Sequence, residues 1–203
     1  MAYCPQPARP ATLALLALDA RLALLARRSG EPMLSQIRFA WWRETLAAEP
    51  GSWPLGEPLL AALRSWEGHR PALVELVEAW DEMTAPAPLA QQTLIRLAQA
   101  RSECFAALCM VIGIPHASLV AASRARAWAA ADIAARLTLA EEKRRAGALL
   151  HDQDWQTGGL PRLLRPLAVL HGLAARDVGR GESAREGGLL AALAALRLGL
   201  LGR

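Results

Sequence analysis

A chain of 203 residues with 53% hydrophobic and 21% charged side chains is long enough for one domain with a full core and far too apolar to remain disordered. Its apolar residues are mostly Ala and Leu, with Val, Ile and Thr scarce, which disfavours β and α/β folds. The formal charge of +4 rests almost wholly on arginine, Lys143 being the only lysine. The arginines stand singly or in pairs (Arg27 with Arg28, Arg144 with Arg145) and not in a tract with interleaved aromatics, so nucleic acid is not an expected partner.

Proline and glycine divide the chain into helices. The first is predicted over 12–28, with Pro10 near its start and Gly30 just past its end, and it is apolar nearly all round, as in a helix buried on most sides. Pro32 opens a second helix to about residue 48, in which Met33, Ile37, Trp41 and Thr45 or Leu46 recur at helical spacing and mark the expected core face, with Trp41 in the core. With only Ser29, Gly30 and Glu31 between them, these two helices are expected to pack antiparallel. Residues 49–58 read as a loop, because apolar helical sequence resumes at Leu59. Pro71 starts a helix through Trp80, broken by Ala85-Pro86-Ala87-Pro88. Helices are predicted over about 89–112, stopped by Gly113 and Pro115, and over about 117–140. Residues 149–161 read as a loop, 163–174 and 189–201 as helices, and 177–188 as the charged, glycine-rich loop between them. The expected fold is an all-α, single-domain helical bundle spanning residues 1–203.

Three cysteines (Cys4, Cys104, Cys109) cannot close a disulfide set and are expected to be core thiols in a reducing compartment. The start Met1-Ala2-Tyr3-Cys4-Pro5 lacks a secretory pattern, and Asp19, Arg21 and Arg197 interrupt the apolar runs before they reach the ~18–20 residues of a membrane span. The expected location is cytoplasmic, with contact at the face of the inner membrane left open.

The most distinctive stretch is Pro32-Met33-Leu34-Ser35-Gln36-Ile37-Arg38-Phe39-Ala40-Trp41-Trp42-Arg43-Glu44. It resembles the squalene/phytoene synthase family, as do Val74 to Asp81, Ala106 to Gly113 and Arg165 to Leu170 with Arg176-Asp177 in the same order. The resemblance implies an isoprenoid-synthase-like helical fold. In the family's condensing enzymes, aspartates four apart on facing helices share Mg²⁺ ions that bind the diphosphate, since positions i and i+4 lie on one helical face. Here the first motif falls at Ala23, Leu24 and Arg27, and the second near Asp132 to Ala140, with Arg136 and Leu139 in place of acids. The resemblance therefore implies a protein without catalytic residues or cofactor, closest to members implied in assembly of respiratory complex I, with an isoprenoid or lipid ligand or a protein partner. The alternatives are an active prenyl-diphosphate condensing transferase, which would need Mg²⁺, and a helical adaptor.

Four residues are the candidate ligand-binding set. Asp19 sits in an otherwise apolar helix where an unpaired carboxylate is costly, so a basic partner is expected, Arg38 or Arg21. Trp42 lies four after Arg38, a spacing that suits an Arg–aromatic pair. Asp81 is the position to which the resemblance points. Beside it, Glu75, Glu78 and Glu82 share a face that reads as solvated. His151-Asp152-Gln153-Asp154 is a polar loop with no distant pair to complete a metal set, and His69, His116 and His171 read as structural.

Overall fold

In a computed structural model of the chain, which describes residues 4–27, 32–156 and 158–180, the described residues are helical with no strand. The helices are α1 (Arg9–Arg27), α2 (Pro32–Ala47), α3 (Pro58–Leu63), α4 (Arg70–Glu82), α5 (Gln91–Val111), α6 (Ser118–Arg136), α7 (Ala140–His151) and α8 (Arg165–Arg180). They are joined by loops and short 3₁₀ turns. Arg28, the connector 29–31 and the predicted helix 189–201 lie outside the described residues.

Local chemistry sets the ends. Pro58 stands at the start of α3, whose N-cap Glu57 accepts from the Leu59 amide at 3.2 Å. The stop of α5 at Gly113 is a Schellman turn: Gly113 has φ +76°, its amide bonds the Met110 carbonyl at 3.2 Å, and the Ile114 amide bonds the Cys109 carbonyl at 2.8 Å. The helix predicted over 117–140 ends earlier. Leu137 and Leu139 are extended, and α7 begins at Ala140, a break that no Pro or Gly announces. In the opposite sense, α8 continues through Arg180, past the predicted end at Ala174.

Packing follows chain order. α2 lies on α4, α4 on α5, α5 most extensively on α6, and α6 on α8, while α1 packs on α3 and reaches α2, α4 and α5. One core runs through them, with Leu18, Leu22, Phe39, Leu63, Trp66 and Leu97 among its fully buried members. Buried polar groups tie segments to it. Trp66 Nε1 donates to the Ala11 carbonyl at 3.3 Å, and the buried Glu142 accepts from the Leu89 amide at 2.8 Å, holding the proline loop before α5 against α7.

The core face of α2 lies beside the predicted one, and the two share only Leu46. Phe39, Trp42 and Leu46 are buried, Trp42 at 4% exposure, whereas Met33 and Ile37 face solvent and Trp41 is 38% exposed. Both stripes of this helix are apolar, so periodicity finds two faces and cannot choose between them. Trp41 packs edge-on against Trp42, with ring centroids 5.0 Å apart at 81°.

Candidate functional site

Asp19 is nearly buried in the middle of α1, and its basic partner is Arg101, at the middle of α5, not Arg38 or Arg21. Arg101 Nε and Nη2 donate to the two Asp19 oxygens at 2.9 and 2.8 Å, the bidentate fork that guanidinium and carboxylate favour. Its remaining nitrogen, Nη1, donates to Asp132 Oδ2 of α6 at 2.8 Å. Trp80 of α4 donates its indole N–H to Asp19 at 2.8 Å. Arg136, one turn after Asp132, closes the set with bonds of 2.9 and 2.7 Å to that carboxylate. Two aromatic rings flank the central guanidinium, whose carbon lies 5.0 Å from the ring centroids of both Trp80 and Trp128.

Four helices thus meet on one cation. Arg101 is only 3% exposed, and burial works against its charge, yet Asp19 and Asp132 hold it above its ordinary value. Two carboxylates and two arginines sum to zero, so the site is electrically closed. Sequence reasoning missed Arg101. Its signal was present: it stands between Leu97, Ala98 and Ala100 on one side and Cys104 and Phe105 on the other, a charge on an apolar helix face like Asp19.

Asp19 precedes Ala23 by one turn and Asp132 precedes Arg136 by one turn, so one acid stands beside each position where the resemblance places a metal motif. The oxygens of these acids point inward and meet a guanidinium. A shared Mg²⁺ would need those oxygens free and near-octahedral. With Arg101 bidentate on one and Arg136 bidentate on the other, the donor set does not fit the ion. The pocket beside the pair, lined by Leu15, Asp19, Leu76, Arg101, Phe105 and Trp128, has a volume of about 10 Å³, room for about one water. A prenyl chain needs several hundred.

The other predicted residues lie apart from this centre. Arg38 is exposed on α2, and the arginine lying over tryptophan rings is Arg101 instead. Trp42 is buried against Trp41. Asp81 is part-exposed, 4.0 Å from Arg43, and burial pushes its carboxyl above the ordinary range. Arg21 pairs with Glu57 at 3.7 Å. The acidic face of α4 is bridged by Arg96, which reaches Glu75 at 3.6 Å, Glu78 at 3.0 Å and also Glu82. Among the described residues, no group of three or more His, Cys, Asp and Glu side chains could hold a metal ion.

A second polar cluster, with Arg124 and His171 buried and Asp154 exposed, joins α6 and α8 through the loop after α7. Arg124 pairs with the Asp154 carboxylate at 2.6 Å, and the His171 ring lies 3.2 Å from the Asp154 carbonyl and stacks on Trp155. Burial lowers the His171 pKa. Asp154 is thereby the ion-pair partner of Arg124. The three cysteines are free and buried, and burial pushes the Cys109 thiol up to about 11 and Cys104 well above its ordinary value. No helix among the described residues is long and apolar enough to cross a membrane.

Comparison with protein families, with curated proteins and with solved structures finds no match in any of the three.

Proposed function

We propose that this chain is a squalene/phytoene-synthase-like helical protein that does not turn over prenyl diphosphates and serves as an assembly factor for a respiratory complex, acting through a protein partner. The observation that carries the reading is the Arg101 guanidinium between Asp19 and Asp132. Ionising a prenyl diphosphate demands positive charge that can gather on the departing pyrophosphate, and carboxylates supply it by holding Mg²⁺. Carboxylates already spent on arginines cannot.

The test has two arms. Incubation with farnesyl or geranylgeranyl diphosphate and Mg²⁺ is expected to release no pyrophosphate. Turnover that EDTA abolishes and Mg²⁺ restores would refute the reading and restore the condensing transferase. In the host, deletion is expected to lower the amount of assembled respiratory NADH dehydrogenase while isoprenoid pools stay unchanged. Altered isoprenoid pools with intact respiratory complexes would overturn it from the other side.

A further inference from the structure

Helix α2 keeps Phe39 and Trp42 in the core and turns a second apolar stripe outward. Met33 is 74% exposed and Ile37 57% exposed, and Leu34 and Trp41 complete an apolar stripe about 12 Å long, from the rise of eight helical residues. Isolated exposed apolar residues need no explanation, but four on one stripe do. The Trp41 ring is braced edge-on by the buried Trp42, so it is held in place on the surface.

Both signs of charge border the stripe, with arginine in excess. Between residues 20 and 44 the sequence holds Arg21, Arg27, Arg28, Arg38 and Arg43 against Glu31 and Glu44, which is five minus two, or +3. Arg21 and Arg43 lie near Glu57 and Asp81. Arg27 and Arg38 are exposed. The nearest exposed acid beyond the stripe on α2 is Glu44, one turn past Ala40.

We propose that this face of α2 docks on an anionic membrane surface, with Met33, Leu34, Ile37 and Trp41 entering the headgroup boundary and Arg27 and Arg38 meeting lipid phosphates. The pattern is that of an interfacial helix: a short apolar stripe, tryptophan at one end and arginine alongside. A second copy of the chain fits less well. The four side chains offer on the order of 400 Å² of exposed apolar surface, about half of the ~800 Å² per partner that a stable interface buries. Two such faces would also bring like charges together. The docking stands independently of the proposed catalytic silence, because none of these side chains belongs to the Arg101 site.

The experiment is co-sedimentation of the full chain with phosphatidylcholine vesicles, with and without phosphatidylglycerol. Binding is expected to the anionic vesicles and to weaken as salt rises. Replacing Arg27 or Arg38 by Ala should weaken it about fivefold each, the effect of one cation at an anionic surface. Ile37→Asp should weaken it about tenfold or more through lost apolar insertion. Because Ile37 is exposed, this variant is expected to melt with the parent, which separates docking from folding. No binding, equal binding to neutral vesicles, or binding that Ile37→Asp leaves unchanged would overturn the proposal. So would concentration-dependent self-association abolished by Ile37→Asp without vesicle binding, which would assign the face to a second copy.

Discussion

Replacing Arg101 by Met tests whether the centre of the bundle is held by a closed ion pair. Met keeps the apolar stem between Trp80 and Trp128 and removes only the charge and its donors. Asp132 retains Arg136, but Asp19 is left with the single N–H of Trp80. Breaking a buried pair from one side costs about 3–5 kcal/mol, because the surviving charge is neither solvated nor matched. At about 2–4 °C per kcal/mol for a chain of this size, a fall of about 6–20 °C in Tm is expected in a thermal melt followed by circular dichroism. The companion is the double variant Asp19→Leu with Arg101→Met, which removes the Asp19 charge as well. Replacing a buried pair by apolar groups is often neutral, so this variant should recover to within about 2 kcal/mol of the parent. An Arg101→Met protein within about 1 kcal/mol of the parent, or a double variant as unstable as the sum of its singles, would refute the idea that the two charges depend on one another.

The two neighbouring tryptophans should separate cleanly. Trp42→Ala is expected to cost about 3–5 kcal/mol through lost burial and a cavity, and Trp41→Ala less than about 1 kcal/mol, read from denaturant midpoints; the reverse order would return Trp41 to the core. His171 makes stability depend on pH. Its folded pKa lies below the ordinary 6.5 because of burial, so at pH values between the two the unfolded chain binds more protons. Its contribution is complete above pH 6.5 and is lost as pH falls toward the folded value. His171→Gln should therefore flatten the fall in Tm between pH 7.5 and 5.5, and an undiminished slope would place the titrating group elsewhere.

Much of the fold is legible in the sequence because it is written in local terms. Gly113 stops α5 by the backbone freedom it supplies, and Pro58 and Pro71 mark helix starts. The break at Leu137–Leu139 carries no such residue and comes from the way α7 folds back toward α5 and α6. For the site, the need of Asp19 for a cation is readable from one helix, but its supplier is 82 residues away, beyond the reach of any spacing rule. Arg38 and Arg21 are nearer in sequence and face solvent instead. The choice between Trp41 and Trp42 failed for a different reason. Both sides of α2 are apolar, and only the presence of α4 on one of them decides which is core.

The cation at the centre of the bundle is carried by the chain itself. A bound metal contributes to stability according to its concentration relative to its dissociation constant, so a protein built around one becomes weaker as the supply falls. A guanidinium bonded through its own backbone has no such dependence: it arrives with the polypeptide in a fixed one-to-one ratio and stays charged at any physiological pH. The junction of α1, α4, α5 and α6 is for that reason set during folding and cannot be loosened by a chelator or a change in ion supply.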